Sequence, residues 1–194
     1  MSDMGHSQSS KAKSRERILE AASRRFRGEG VDRVGVADLM KSAGLTQGGF
    51  YKHFASRAAL VDESVERALS DGSAIANAIA NDPKATLGRL VDGYLSLRHR
   101  DDLAHSCAVT TMAGDVARST EGARDAYTRQ VGAYVELLKG LLERAGANGT
   151  DDEALAILST MVGALSMARA VSDEKLSRKI LSAAAASVKR RNAR

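Results

Sequence analysis

The spacing of apolar and polar residues predicts a chain built almost entirely of α-helices. Ile18, Ala22 and Phe26 recur every four residues, which indicates a first helix that begins at the capping residue Ser14. The same helical spacing returns in one segment after another towards the C-terminus. The chain is rich in Ala and Leu, has one proline and contains only 4% aromatic residues, a composition that favours helices over strands. The predicted fold class is therefore all-α.

Breaks in this pattern divide the chain into an N-terminal three-helix domain and a larger helical domain. Residues 1–11 carry no apolar periodicity and are expected to form a disordered basic arm. The N-terminal domain is predicted over residues 12–72 and the C-terminal domain over residues 73–194. After the first helix, the predicted helices cover residues 36–43, 46–53, 56–80, 84–98, 106–118 and 121–145, and two more begin near 150 and 173.

Residues 35–54 have the pattern of a helix-turn-helix motif. A short helix leads into a tight turn at Gly44, where the chain needs a residue that adopts a left-handed backbone at low cost. A second short helix begins at the cap Thr46, and Phe50 and Phe54 bury its back. The outer side of this second helix then carries Gln47, Gly48, Gly49, Tyr51, Lys52 and His53.

These outer residues suit contact with double-stranded DNA. Each glycine inside a helix costs about 1 kcal/mol relative to alanine, and that penalty is tolerated where another molecule approaches the backbone closely. The floor of a DNA major groove is the candidate, because Gln47 can pair bidentately with adenine there. The expected donors to phosphate are Tyr51, Lys52, His53 and Arg57. The alternative is a plain glycine loop with the aromatic and histidine side chains packed on the surface.

Positive charge is concentrated at the same end of the chain. The whole chain has 29 Lys and Arg against 24 Asp and Glu, which gives a net charge of +5. Residues 1–60 contain 11 basic and 6 acidic residues, whereas residues 61–194 contain 18 of each. A basic end on a neutral body is what a protein needs when only one end meets a polyanion. Charge alone fits a basic tail without a partner equally well.

Residues 15–60 resemble the DNA-binding domain of the TetR-type bacterial transcriptional regulators. The similarity lies in the Arg-Glu-Arg-Ile-Leu-Glu-Ala-Ala segment that starts at Arg15, in the Ala-Gly-Leu-Thr turn at residues 43–46, and in the Phe-Tyr and His-Phe pairs that end at Phe54. The resemblance implies homodimers, a recognition helix in the major groove, and a variable C-terminal helical domain that binds a small-molecule inducer. It implies DNA contacts by Thr46, Gln47, Gly48, Gly49, Tyr51 and His53. Arg57 stands where the family commonly has a lysine on the DNA backbone.

Three positions depart from the family pattern. Met40 replaces the small alanine that is usual where the two helices of the motif cross, which implies a slightly different crossing. Gly35 replaces the usual Ser or Thr cap of the first helix of the motif, and Ala37 replaces a residue that is often basic. We therefore expect this first helix to contribute less to base recognition here.

The C-terminal domain offers little recognisable chemistry. Its aromatic and methionine residues can line the pocket of a small, largely apolar effector, although their helical spacing fits an ordinary core as well. Cys107 is interpreted as a core residue rather than a redox sensor, and His99 and His105 lack the partners of a metal site. No catalytic triad, phosphate-binding loop or paired carboxylate motif stands out, so we expect no enzyme activity, metal or cofactor. The candidate pocket residues are Tyr94, Met112, Tyr127, Tyr134 and Met161.

Small residues are frequent in the last two predicted helices, which allows helix axes to approach closely. Residues 154–170 and 176–188 are predicted to pair with a second copy as a four-helix bundle, with an intramolecular core as the alternative. The longest uncharged run, residues 154–168, is too short to span a bilayer. A single cysteine and the lack of a signal peptide point to a cytoplasmic, nucleoid-associated protein.

These features predict a dimeric, ligand-responsive transcriptional repressor. We expect it to bind a palindromic operator in double-stranded DNA and to leave it when a small apolar effector binds. The reason is a division of labour, because the residues that read DNA end near residue 60 and leave residues 61–194 as a neutral helical body. The alternative is a constitutive helix-turn-helix DNA-binding protein, an activator or an architectural protein, without an inducer.

Overall fold

The computed structural model describes residues 3–191 of the chain, including the side chains of residues 8–190. Within this range the chain is helical and contains no strand, which confirms the predicted all-α class. Two short 3-10 helices lie at Val31–Arg33 and Gln47–Lys52. The α-helices of this range are α1 (Asp3–Glu29), α2 (Val36–Ser42), α3 (Arg57–Asn81), α4 (Leu87–Tyr94), α5 (Leu97–Asp101), α6 (Ala108–Thr111), α7 (Ala113–Ala117), α8 (Glu121–Arg144), α9 (Asp151–Ala170) and α10 (Glu174–Arg191).

The first helix is longer than predicted. It begins at Asp3 and not at Ser14, so residues 3–11 of the predicted disordered arm are helical, while residues 1–2 lie outside the described residues. Residues 8–13 are all exposed and add turns to a helix whose buried part starts at Ile18. Adding residues to a helix that is already nucleated costs little, so apolar periodicity is not needed there.

Two segments predicted as single helices are each divided in two. The predicted helix over residues 84–98 becomes α4 and α5, because the Ser96 hydroxyl accepts a hydrogen bond from the backbone N–H of His99 (3.1 Å) and starts a new helix. The predicted helix over residues 106–118 becomes α6 and α7, which meet at Met112. The predicted start of α3 is confirmed, since the Ser56 hydroxyl accepts a hydrogen bond from the N–H of Ala59 (3.1 Å).

Buried apolar side chains form two clusters along α3. The first cluster joins α1, α2 and the beginning of α3 to α6, α7 and the beginning of α8, and it includes Phe26, Phe50 and Met112. The second cluster joins the end of α3 to α4, α8, α9 and α10, and it includes Leu142 and Leu165. Since α3 runs through residues 72 and 73, the boundary between the two domains stays a prediction.

Helix α9 has two different apolar faces. It is the one helix of residues 3–191 that is long and apolar enough to cross a membrane by length and composition. Its Leu158, Met161 and Leu165 are buried in the second cluster, as in the core helix of a globular protein. On the other face, Leu155 and Met167 are 42% and 55% exposed, and this face is unpartnered within the described part of the chain.

Candidate DNA interface and ligand cavity

The turn of the helix-turn-helix motif is fixed by backbone contacts. Gly44 has a φ of +68°, which confirms the predicted left-handed residue. The N–H of Leu45 donates to the carbonyl oxygen of Met40 (2.8 Å), and the guanidinium of Arg17 donates to the carbonyl oxygen of Ala43. Helix α1 therefore holds the turn that connects α2 to the next helix.

The second helix of the motif is a 3-10 helix, Gln47–Lys52, and not the α-helix that the sequence predicted. Its hydrogen bonds connect residues three apart, as between the N–H of Gly49 and the carbonyl oxygen of Thr46 (3.0 Å). Thr46 precedes the helix as predicted, although its side chain makes no capping hydrogen bond. The paired glycines account for the difference, because glycine has a low propensity for the α-helix.

The Gln47–Lys52 helix has a buried side and an exposed side. Phe50 and Phe54 are each 2% exposed, and their rings stack with centroids 5.7 Å apart. On the other side Tyr51 is 79% exposed, an unusual position for a large aromatic side chain. The exposed predicted DNA-contact residues are Thr46, Gln47, Gly48, Tyr51, Lys52 and Arg57, whereas Gly49 and His53 are half-buried.

Packing within the chain does not explain either glycine of this helix. A Cβ atom on Gly48 would meet no atom within 4 Å among the described residues. A Cβ atom on Gly49 would lie 3.7 Å from the Cε of Met40, which is ordinary van der Waals contact. Met40 itself is fully buried between the two helices of the motif. A side chain would therefore fit at both positions, and packing within the described chain does not require glycine at either one.

One of the predicted phosphate contacts also serves the fold, and another is partly withdrawn from solvent. The guanidinium of Arg57 donates to the carbonyl oxygens of Val31 (2.6 Å) and Val34 (3.4 Å), and so holds the connection between α1 and α2. Burial, followed by the nearby charges of Lys11 and other basic residues, lowers the pKa of His53, which keeps its imidazole neutral at pH 7. Contact of either residue with DNA stays a prediction.

A cavity of about 160 Å³ lies between α1 and α3 on one side and α4, α5, α6, α8 and α9 on the other. Of the predicted pocket residues, Tyr94, Tyr134 and Met161 line it. Met112 and Tyr127 do not, and the prediction is corrected for both. Met112 is fully buried in the first core cluster, and the Tyr127 hydroxyl donates to the carbonyl oxygen of Val109 (2.7 Å).

Cys107 packs against the first core cluster, as its interpretation as a core residue requires, and it also lines this cavity. Its thiol donates a weak hydrogen bond to the Tyr134 hydroxyl (3.6 Å). His105 is also at the cavity and bonds the Asp102 carboxylate through Nδ1 (2.9 Å). Within the described residues, no group of three or more His, Cys, Asp and Glu side chains is placed to hold a metal ion.

His99 is locked in one tautomer beside the cavity. Its Nε2 accepts from the backbone N–H of Cys107 (3.2 Å) and is 2.9 Å from the Ser106 hydroxyl, so Nε2 carries no proton. Its Nδ1 therefore carries the proton and donates to the carbonyl oxygen of Tyr94 (2.7 Å). The guanidinium of Arg169 donates to the carbonyl oxygen of His99 (2.6 Å) and ties α9 to this network.

We expect His99 to make the folded protein sensitive to acid. Burial lowers the pKa of His99 below its usual value of 6.5, so below about pH 6.5 the unfolded chain binds a proton that the folded chain does not. The free energy of unfolding should fall by up to about 1.4 kcal/mol per pH unit and level off below the folded pKa. Urea unfolding between pH 7.5 and 5 should show a smaller loss for His99→Gln. An equal loss in both proteins would assign the effect to other groups, such as His53.

Comparison with known proteins identifies the family of this motif. Residues 18–64 match the family model described as bacterial regulatory proteins of the tetR family. Residues 18–64 therefore carry the DNA-binding region of the tetR family. A segment of 55 residues is 38% identical to YvdT, an HTH-type transcriptional regulator of Bacillus subtilis (strain 168), and it covers 28% of this chain and 28% of YvdT. TetR-family regulators are non-enzymatic DNA-binding proteins.

Solved structures of TetR-family regulators share the fold along nearly the whole chain. NemR of E. coli in its reduced form has a TM-score of 0.74 at 20% identity, and the alignment covers 91% of this chain and 95% of NemR. A TetR-family regulator of Agrobacterium tumefaciens has a TM-score of 0.75 at 18% identity, with coverage of 94% and 98%. A TetR regulator of Legionella pneumophila has a TM-score of 0.74 at 20% identity, and the alignment covers 91% of this chain and 96% of that regulator. The helical body of this chain therefore has the same fold as those regulators.

Sequence analysis missed Arg27, which lines the cavity from α1. A usable signal was present, because Leu19, Ser23 and Arg27 recur every four residues and form a second buried row on that helix. Helical spacing alone does not show that polar residues in such a row are buried. Their burial depends on α3 and α8, which lie far away in the sequence.

Proposed function

We propose that this chain is a dimeric transcriptional repressor of the TetR family that binds a palindromic operator and is released from it by a small molecule. One observation carries the DNA-binding part. The exposed side of the Gln47–Lys52 helix places Gln47, Tyr51 and Lys52 around Gly48, whose missing side chain no neighbour within the described residues explains. A partner that approaches the backbone there, such as the floor of a major groove, accounts for this arrangement.

Selection of bound DNA from a random-sequence pool tests the proposal. We expect an inverted repeat whose half-site centres lie about one helical turn or a multiple of it apart, because a two-fold dimer presents both recognition helices to one side of the duplex. A reporter gene placed behind the selected site should be repressed. Recovery of no enriched sequence, or of a site without two-fold symmetry, would contradict the proposal.

Base reading can be separated from phosphate contact within one helix. Gln47→Ala should relax the preference at one base pair and weaken binding by about 1–3 kcal/mol per half-site. Lys52→Ala is the matched control, since it should weaken binding to all sequences alike and flatten the salt dependence. Arg57→Ala should resemble Lys52→Ala, but it also removes the contact with Val31. Fluorescence anisotropy at several salt concentrations measures each effect, and an unchanged base preference in Gln47→Ala would contradict base reading by this residue.

The proposed dimer is supported by the uncharged exposed face of α9 and by an exposed leucine on α10. On α9 the face carries Leu155, Gly163 and Met167, and residues 154–168 contain no charged side chain. On α10, Leu176 is 44% exposed. Helices α9 and α10 pack against each other, and both carry exposed apolar side chains. Pairing with a second copy buries these side chains as a four-helix bundle.

The proposed release by a small molecule is supported by the position of the cavity. Its walls include α1, which holds the helix-turn-helix motif, and α9, which carries the proposed dimer face. A ligand that favours one arrangement of these helices changes DNA affinity, commonly by about 1–3 kcal/mol of coupling. By reciprocity, operator DNA should weaken ligand binding by the same factor. Equal ligand affinities with and without operator would favour the constitutive alternative.

A further inference from the structure

The cavity contains a buried cation that is poorly compensated by its surroundings. The Arg27 side chain lies in the last turn of α1, is only 8% exposed and lines the cavity. Its Nε has no hydrogen-bond partner among the described residues. A buried guanidinium N–H without a partner is costly, so a ligand that accepts this hydrogen bond is favoured.

The carboxylate of Asp71 is the partner of Arg27, but it is distant and is shared with a second arginine. Asp71 Oδ2 lies 3.5 Å from the Arg27 Nη2 atom, beyond the distance of about 2.7–2.9 Å at which charge-assisted hydrogen bonds form. The other oxygen of Asp71 accepts from the Arg67 Nε at 3.1 Å. Asp71 is therefore shared between two guanidinium groups, of which Arg67 also pairs with Glu16 while Arg27 has no second carboxylate partner among the described residues. An anion is favoured here, whereas a cation would compete with both arginines for Asp71.

The rest of the cavity determines the size and polarity of its ligand. The volume of about 160 Å³ is close to that of an engineered protein cavity that binds benzene. Leu137, Leu138, Leu158 and Met161 form an apolar wall. The Tyr94 hydroxyl is already paired with Thr110 (2.5 Å). The space suits one aromatic ring, and Arg27 supplies a place for a negative group.

We propose that the cavity binds a small aromatic carboxylate, whose carboxylate accepts a hydrogen bond from the Arg27 Nε while its ring packs against the apolar wall. Binding of this anion does not depend on DNA. Its effect on DNA binding rests on the proposed function. That effect would pass through Arg27, because Arg27 belongs to α1, which packs on α2 of the helix-turn-helix motif. The ligand would then contact the DNA-binding domain itself, and not only the helices of the C-terminal body.

Cys107 gives a direct measurement of occupancy. It is the only cysteine of the chain and it lines the same cavity, so the rate of its modification by a thiol reagent reports whether the cavity is filled. The probes are benzoate, the neutral benzyl alcohol and the cationic benzylamine. Benzoate should slow modification of the full-length protein and raise its melting temperature. We expect benzoate to bind about tenfold to hundredfold more tightly than benzyl alcohol.

Three variants test whether the preference for benzoate depends on the charge of Arg27 or only on the shape of the cavity. Arg27→Met should abolish the advantage of benzoate and leave benzyl alcohol binding unchanged. Arg25→Met is the matched control, because Arg25 pairs with Glu29 outside the cavity lining and its loss should change neither affinity. Asp71→Asn removes the competing carboxylate, so it should tighten benzoate binding. This variant keeps the test decisive if Arg27→Met does not fold.

The proposal is overturned if benzoate and benzyl alcohol protect Cys107 equally, if Arg27→Met keeps the preference for benzoate, or if benzylamine binds best. Failure of millimolar benzoate to slow modification also overturns it. All of these measurements are made without DNA. The selected-operator experiment is made without benzoate, so a failure of either proposal leaves the other intact.

Discussion

Gly163→Glu is expected to convert the proposed dimer into a monomer and to lower operator affinity by about 10²–10⁴-fold, because each half-site must then be bound separately. Gly163 lies in the middle of the exposed face of α9, and a Cβ atom there would meet nothing within 4 Å in the described protomer. The substitution therefore leaves the protomer unstrained. In a two-fold dimer it places two carboxylates in an apolar interface.

Sedimentation equilibrium at micromolar concentration and anisotropy titration with the selected operator measure the two effects. The matched control is Gly132→Glu on α8, where a Cβ atom also has no neighbour within 4 Å among the described residues. Both substitutions replace a helical glycine and should raise protomer stability by up to about 1 kcal/mol. A dimeric Gly163→Glu protein with full operator affinity would place the interface elsewhere.

Gly48→Leu is expected to abolish specific DNA binding without destabilising the free protein. Gly48 has a negative φ and open space at its Cβ position, so leucine fits both the backbone and the surroundings. Against DNA, the added side chain prevents the close approach that Gln47 needs to reach a base. Losing base recognition in both half-sites should weaken the free energy of operator binding by about 2–6 kcal/mol, while the salt-dependent contacts with phosphate remain.

The control for this variant is Gly93→Leu in α4, an exposed glycine that also has open space at its Cβ position. Its operator affinity should equal that of the unmodified protein. Thermal unfolding checks that both variants are folded. Specific binding by Gly48→Leu at full strength would show that the glycine is a neutral surface residue and would weaken the assignment of this helix to the major groove.

Local signals in the sequence predicted the helix-turn-helix motif well. The left-handed turn depends on Gly44 alone, and the buried side depends on the four-residue spacing of Phe50 and Phe54, so neither needs information from distant parts of the chain. The 3-10 character of the Gln47–Lys52 helix was missed because helical spacing is similar for both helix types over so few residues. The break at Ser96 was missed because serine caps and helix-interior serines look alike in sequence.

The cavity could be predicted only in part, because it is built by residues from seven helices. Tyr94, Tyr134 and Met161 stand out as large side chains on apolar faces, whereas Arg27 and Cys107 do not. Burial of Arg27 depends on how α1 packs against α3, which helical periodicity within α1 does not specify. The expected apolar pocket therefore contains a charge that only the tertiary structure brings into it.

The first core cluster limits how modular this protein is. Phe26 and Leu60 of the N-terminal region share that cluster with Val109 and Met112, so part of the stability of the DNA-binding domain comes from α6. A chimera that joins residues 12–72 to the body of another regulator would expose this contact unless the new body supplies a matching apolar surface. Exchange of DNA specificity between relatives should therefore succeed more readily by replacing residues of the Gln47–Lys52 helix than by moving the whole domain.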